Sequence, residues 1–585
     1  MLKPIKINHL KASTLKFVFF IGTSITLVAC GGGGGSDESN GNADDNAPTA
    51  TFTPANTATD VETSTNVNAT FSKDMIASSI DATSFTLSDS NGAIAATVSF
   101  DANTNIATLN PSTALGLQKT YTSQLNEEIS DLSGNALANT STQFTTRDGA
   151  WNGPALLIDG GSGANFQNAQ IIVSPNGNAV AVYAEIDNVH SGSINNIYAN
   201  YYTVAEGWSG KVSINNQNRS PDIFQNFEIV IDAVIDADGN ATVVWAEYSI
   251  PDSAFIRSSI FANRYTVGSG WRTALLIEAD FSGNAFAPKL GVDTKGDVTA
   301  AWEQVDESQH IIWRNHFSYS DASNTWGTAI KVSTDTADSS TNTHSGLDVA
   351  IAPDGARIIT WQWLQGSSYF SHYFYTSNDE PDGSISRITF GNHSVARDQK
   401  VEFDSNGNAI AVWQQYDDSS NTISSLYSKF FEASTLEWGP TTLVETDNAF
   451  SVSTHDLAVD PSGKYMVVWA QNNSIWANYY SKFIGSWDGA QTIENNINNT
   501  TSAPKVAMTD INKFTAIWSQ INNSGNIDVY TNSFTPSGWT TTEMIESSPG
   551  NTTSPDIGID SNGRKIAVWV QENSGRNAIT SRSFN

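Results

Sequence analysis

Cysteine is almost missing from this chain: one residue, Cys30, stands among 585. An intramolecular disulfide is excluded, so packing and hydrogen bonds must hold the fold in whatever compartment it occupies. Basic residues are scarce as well, 29 Lys and Arg against 60 Asp and Glu, a formal charge of −31. Four of those lysines precede Phe17, so the chain from Cys30 onward carries −31 − 4 = −35. No Lys/Arg cluster appears in that stretch, which excludes a nucleic-acid partner held by counterion release. The excess acid keeps the molecule soluble and self-repelling. The eight His are scattered, without His-Glu-x-x-His or paired Cys/His spacing, so no zinc motif is present. A Gly-x-Ser-x-Gly elbow, a Walker loop and a dinucleotide fingerprint are also missing.

Long apolar runs are lacking too. The strongest, Phe17 to Ala29, has Thr and Ser inside it and falls short of the roughly 20 apolar residues a bilayer span needs. It follows Lys3, Lys6, Lys11 and Lys16, the charged-then-apolar order of a secretory signal. It ends on Leu27-Val28-Ala29-Cys30, which resembles the bacterial lipobox. The resemblance implies a signal peptide over residues 1–29, a lipid on Cys30, and the membrane as partner through that lipid. Gly31, rather than Asp, after Cys30 implies outer-membrane delivery, with the periplasmic and the exposed side both open. Residues 30–47 are rich in Gly, Asn and Asp and read as a flexible tether.

Tryptophan is absent from residues 48–147, whereas all 17 lie between Trp151 and Trp569. The contrast divides the chain into two all-β parts, 48–147 and 148–585, because neither shows long helical periodicity. In the first, short alternating strands such as Ala96-Thr-Val-Ser-Phe100 are separated by turns at Asp89-Ser-Asn-Gly92 and Ser133-Gly134-Asn135, which suits a β-sandwich. Phe52-Thr-Pro54, Thr70-Phe-Ser-Lys-Asp-Met75, Leu109-Asn-Pro111, Asp131-Leu-Ser-Gly-Asn-Ala-Leu137 and Phe144-Thr-Thr146 resemble the SbsA-type Ig-like domain. That resemblance implies a spacer or adhesive module without catalytic residues. Asp131 and Asn135 could ligate calcium, but a tight turn at Gly134 accounts for them more simply.

The second part is a repeat. Asp236-Ala-Asp-Gly-Asn-Ala-Thr-Val-Val-Trp245, Asp404-Ser-Asn-Gly-Asn-Ala-Ile-Ala-Val-Trp413 and Asp560-Ser-Asn-Gly-Arg-Lys-Ile-Ala-Val-Trp569 show the unit. Its landmark aromatics are Tyr183, Trp245, Trp302, Trp361, Trp413, Trp469, Trp518 and Trp569, at intervals of 62, 57, 59, 52, 56, 49 and 51. With a strand before the turn, one through the landmark and two after it, each unit is one blade of a β-propeller. The last repeat stops at Asn585 without a closing strand, and Trp151-Asn-Gly-Pro-Ala-Leu-Leu-Ile158 reads like the missing one. Eight blades closed by the N-terminal strand are expected; the degenerate fourth repeat, which lacks a second Trp, leaves seven as the alternative.

Two features invite chemistry. An acid or amide recurs two residues past the landmark, at Glu185, Glu247, Gln304, Gln415, Gln471, Gln520 and Gln571, with Trp363 in the fourth repeat. Such a set is a ring around a channel or, more in keeping with its recurrence, a packing element of every blade. The turns Asp236-Ala-Asp238-Gly and Asp404-Ser-Asn406-Gly resemble the start of calcium loops but lack the closing carboxylate, so no cofactor is expected, with calcium the one left open. Propellers of this kind resemble sialidases, but the Arg-Ile-Pro and Ser-x-Asp-x-Gly-x-Thr-Trp motifs are absent and no catalytic residue carries over. The repeat also departs from the quinoprotein-type repeats of the outer-membrane assembly lipoprotein. The expectation is a lipid-anchored binding or adhesion protein presenting a propeller face to glycan or protein. The alternatives are a glycosidase-like carbohydrate-active enzyme, which needs only two suitably spaced acids and no linear motif, and an envelope assembly scaffold.

Overall fold

The computed structural model describes residues 45–585, apart from 162, 187–193, 216–229, 250–256, 279–282, 307–308, 320–324, 334–345, 366–367, 378–382, 390–395, 417–421, 495–503, 511–512 and 547. The signal segment, Leu27, Val28, Ala29, Cys30 and most of the tether lie outside the described residues. No helix among the described residues is long and apolar enough to cross a membrane.

Residues 50–146 form two facing sheets. One orders strands Ala50–Thr53, Val67–Phe71, Ile106–Pro111 and Ala96–Asp101; the other orders Ala58–Val61, Thr140–Thr146, Thr120–Leu125, Phe85–Asp89 and Gly92–Ala93. Alternation places Val67, Ala69, Phe71, Leu87, Leu109, Tyr121, Leu125 and Phe144 between them as one core. Asp131 is engaged within its own turn. Its Oδ1 accepts the N–H groups of Ser133 (3.0 Å) and Asn135 (2.8 Å), and Lys73 Nζ lies 3.3 Å from Oδ2, so the carboxylate closes its own turn.

From Leu156 onward eight antiparallel sheets follow one another, each of four or five strands. Their first strands are Asn165–Val173, Ile231–Ile235, Ala285–Val292, Asp348–Ile351, Ala396–Phe403, Val452–Val459, Lys505–Asp510 and Thr552–Ile559. Each landmark aromatic sits on the second strand, and the six Trp at 245, 302, 413, 469, 518 and 569 are fully buried. The cores lie between blades rather than within them: Val180 and Val182 of blade 1 pack with Trp245 of blade 2, and so on around. The last such cluster joins Ile566, Val568 and Val570 of blade 8 to Phe166, Ala181 and Tyr183 of blade 1. The first strands touch in the same cyclic order, that of blade 8 lying against that of blade 1. The fourth repeat, despite its degeneracy, builds a complete four-stranded sheet, so the described residues hold eight blades rather than seven.

Blade 8 is composite. Leu156 and Leu157 pair with Ser581 and Thr580, which gives the last sheet its outer strand from the opposite end of the chain. Ala150 and Asn585 exchange both backbone hydrogen bonds at 3.1 Å. The two-sheet domain rests on the same region: Leu117 N–H donates to Asn562 O (2.7 Å), and Leu117 shares a cluster with Trp151, Trp569 and Phe584.

Candidate functional site in the axial channel

The repeated acid or amide beyond each landmark lies on the second strand, inside the blades. The indole N–H of a fully buried Trp must find an acceptor, and the residue two positions on, on the same face, supplies it. Trp245 donates to Glu247 Oε2 at 2.8 Å, Trp302 to Gln304 at 3.1 Å, Trp413 to Gln415 at 2.9 Å, Trp469 to Gln471 at 2.9 Å, Trp518 to Gln520 at 3.0 Å and Trp569 to Gln571 at 3.1 Å. In blade 1 Tyr183 instead donates to Ile158 O (3.1 Å), which frees Glu185 to accept from Asn196 (2.9 Å). In blade 4 Trp363 packs edge-on against His372. This set is therefore placed for blade packing, and the innermost positions belong to the first strands. The Asp turns bond within themselves as well: Asp236 Oδ1 accepts the N–H groups of Asp238 (3.1 Å) and Asn240 (2.8 Å) while its Oδ2 pairs with Arg264 (3.0 Å), and Asp404 Oδ1 accepts those of Asn406 (2.8 Å) and Asn408 (2.9 Å). Among the described residues no group of three or more His, Cys, Asp or Glu is placed to hold a metal ion.

A ring does line the channel, at a position that carries no consensus in the sequence. Opposite the residue before each landmark, the first strands carry in blade order Gln170, Asp232, Lys289, Asp348, Lys400, Asp456, Lys505 and Asp556. All eight are half-buried and stand 13 residues before their landmark. Even blades carry Asp; odd blades carry Lys, except for Gln170. Each Asp accepts an N–H from the next blade through Oδ2: Asp232 from Leu290 (2.8 Å), Asp348 from Val401 (2.9 Å), Asp456 from Val506 (3.0 Å) and Asp556 from Ile171 (2.8 Å). These charge-assisted bonds staple the ring in pairs of blades. Lys289 and Lys505 approach the preceding Asp at 3.4 and 3.6 Å, whereas no carboxylate among the described residues stands within ion-pair distance of Lys400.

One layer nearer the turns, 11 residues before the landmarks, the equivalent side chains are Ile172, Val234, Gly291, Ala350, Glu402, Ala458, Ala507 and Gly558. Seven are apolar or absent and one is an acid. Glu402 is exposed to solvent, but the protein surrounding it is dense enough to desolvate its charge. Burial, with the negative fields of Asp348 and Asp456 and against that of Lys400, pushes its carboxyl up to about 8. Asp348, helped by Asp456, Asp232 and Glu402, raises the Lys400 ammonium above its usual range despite burial. Behind the ring, burial and the Lys400 charge hold His455 at about 3, so it is neutral, while burial lifts Asp556 to about 6 against the field of Lys505. The centre thus offers a protonated acid, a lysine two residues away on the same strand face, and Asp348, whose Oδ1 has no protein partner among the described residues.

Residues 44–146 match the bacterial Ig-like domain family. No curated protein matches the chain. Among solved structures, an ulvan lyase of a polysaccharide lyase family aligns over 74% of this chain and 93% of its own at 10% identity and a TM-score of 0.41. A protein of unknown function from Dyadobacter fermentans aligns over 74% and 98% at 9% identity and 0.37. An α-L-arabinanase from Penicillium chrysogenum aligns over 51% and 92% at 14% identity and 0.32. Values this low bear on neither substrate nor reaction.

Proposed function

We propose that this chain is a lipid-anchored envelope protein whose channel cleaves glycosidic bonds, with Glu402 as the proton donor. The observation that carries the reading is the solitude of Glu402: seven equivalent positions hold no polar group, and the eighth holds a carboxyl with no structural bond to make. Repetition serves the scaffold, and a break in it at the axis serves a ligand. A carboxyl still protonated at neutral pH suits general-acid work. Glu402 passes its proton to the glycosidic oxygen as the bond to the sugar carbon breaks; Asp348 takes a proton from the water that adds to that carbon. Lys400 balances the surrounding carboxylates, so that the acid is held protonated without the site becoming a purely anionic well.

A panel of neutral, acidic and amino polysaccharides, incubated with the full chain in detergent and followed by released reducing ends, tests this. Glu402→Gln should lower turnover by at least 100-fold with an unchanged circular-dichroism spectrum. Full activity in a folded Glu402→Gln variant refutes the assignment; binding without turnover in the wild type returns the protein to the adhesion reading. For the anchor, Cys30→Ser should move the protein from the membrane to the soluble fraction, and retention in the membrane fraction refutes it.

A further inference from the structure

Resting on that reading, we infer that the substrate enters along the channel axis by a chain end, so that the reaction trims polysaccharide termini rather than cutting within chains. The placement of Glu402 argues this. Its strand runs Ala396–Phe403, and the turn that follows peaks at Ser405 and Asn406, three to four residues beyond the acid. At about 3.3 Å per strand residue, the carboxyl lies roughly 10 Å below the tips of the wall, about two sugar rings deep. From the opposite mouth it is deeper still, since six residues of the same strand precede it.

Above it, the turns of neighbouring blades are laced together at four junctions among the described residues. Ser405 Oγ donates to Pro461 O at 2.6 Å, Ser561 Oγ to Pro175 O at 2.7 Å, Asn176 Nδ2 to Ala237 O at 3.2 Å and Thr294 Oγ1 to Pro353 O at 3.5 Å. Below the turns, the Asp staples join blades 2 and 3, 4 and 5, 6 and 7, and 8 and 1, so that, with the Ser405 bond to Pro461, both flanks of the Glu402 strand are tied to their neighbours. A polymer laid across the mouth would rest on turn tips, with its glycosidic bonds too high for Glu402, whereas an end descending the axis brings its first or second bond to the acid.

The test is the product pattern. With the full chain and whichever polysaccharide of the panel is cleaved, mono- or disaccharide should be the first product, and solution viscosity should fall by less than a tenth when 5% of linkages are broken. A viscosity drop of several-fold at that extent, with intermediate oligosaccharides, overturns the inference while leaving Glu402 as the acid. Absence of cleavage on every polysaccharide overturns the reading beneath it, and this inference with it.

Discussion

Replacing Gln471 by Leu isolates the role of the amide that follows each landmark aromatic. Gln471 Oε1 accepts from the Trp469 indole at 2.9 Å, and its Nε2 donates to Asp447 O and Phe450 O, both at 2.7 Å. Trp469 has no exposed surface, so its N–H would be left buried and unpaired, at a cost of about 1–3 kcal/mol. The two carbonyls belong to a partly exposed loop where water can replace the amide, which adds about 0.5 kcal/mol at most. Leucine is close to isosteric, so little cavity cost is added, and a total near 2 kcal/mol is expected. The assay is urea unfolding followed by tryptophan fluorescence, with the m-value checked for constancy. In a Trp469→Phe background the indole is gone and the same Gln471→Leu change should cost about 1–2 kcal/mol less. A Gln471→Leu cost below about 0.5 kcal/mol, or one that is no smaller in the Trp469→Phe background, refutes the packing role.

The remaining expectations are quicker to state. Folding raises the Glu402 carboxyl from 4.5 to about 8, so the fold favours the protonated acid and stability falls as pH rises through that window. Glu402→Gln removes that dependence: its melting temperature should match the wild type at pH 4 and exceed it at pH 9, and equal values at both would contradict the raised carboxyl. A chain begun at residue 165 lacks the strand at Leu156–Leu157 and exposes the edge of the last sheet; it should aggregate at concentrations where the full chain is monodisperse by light scattering.

The repeat, the blade number and the borrowed strand were legible because each rests on residue identity: Trp at the landmark, Gly in the turn, and the strand after Trp151 with no partner of its own. Those identities are imposed locally, by a core and by a turn conformation. The ring of Gln170, Asp232, Lys289, Asp348, Lys400, Asp456, Lys505 and Asp556 was hidden by its chemistry, since three residue types alternate and no consensus survives alignment. Its only linear trace is the constant 13-residue offset from the landmark. Glu402 was harder still. One glutamate in an acidic chain carries no signal until the fold shows that its seven counterparts are apolar or glycine and pack toward the next blade. The acids and amides beyond the landmarks drew attention instead because recurrence is visible, and recurrence marks what every blade needs.

The composite eighth blade also decides how the molecule bears tension. Any pull arriving through the residues before 148 passes the two-sheet domain and reaches the ring at Ala150, whose paired bonds with Asn585 are the first to be loaded. Beyond them come the contact of Trp151 with Phe584 and the two-residue pairing at Leu156–Leu157. Directed along that strand the force is shared among these contacts in shear; directed away from the sheet it meets them one at a time, as a zipper. The Leu117 contact with the turn at Asn562 keeps the domain against the same blade and so limits how far the strand can be levered outward. The seam that joins the two ends of the chain is thus the point at which stretching would open the ring, and the other seven blades would feel nothing until it gave way.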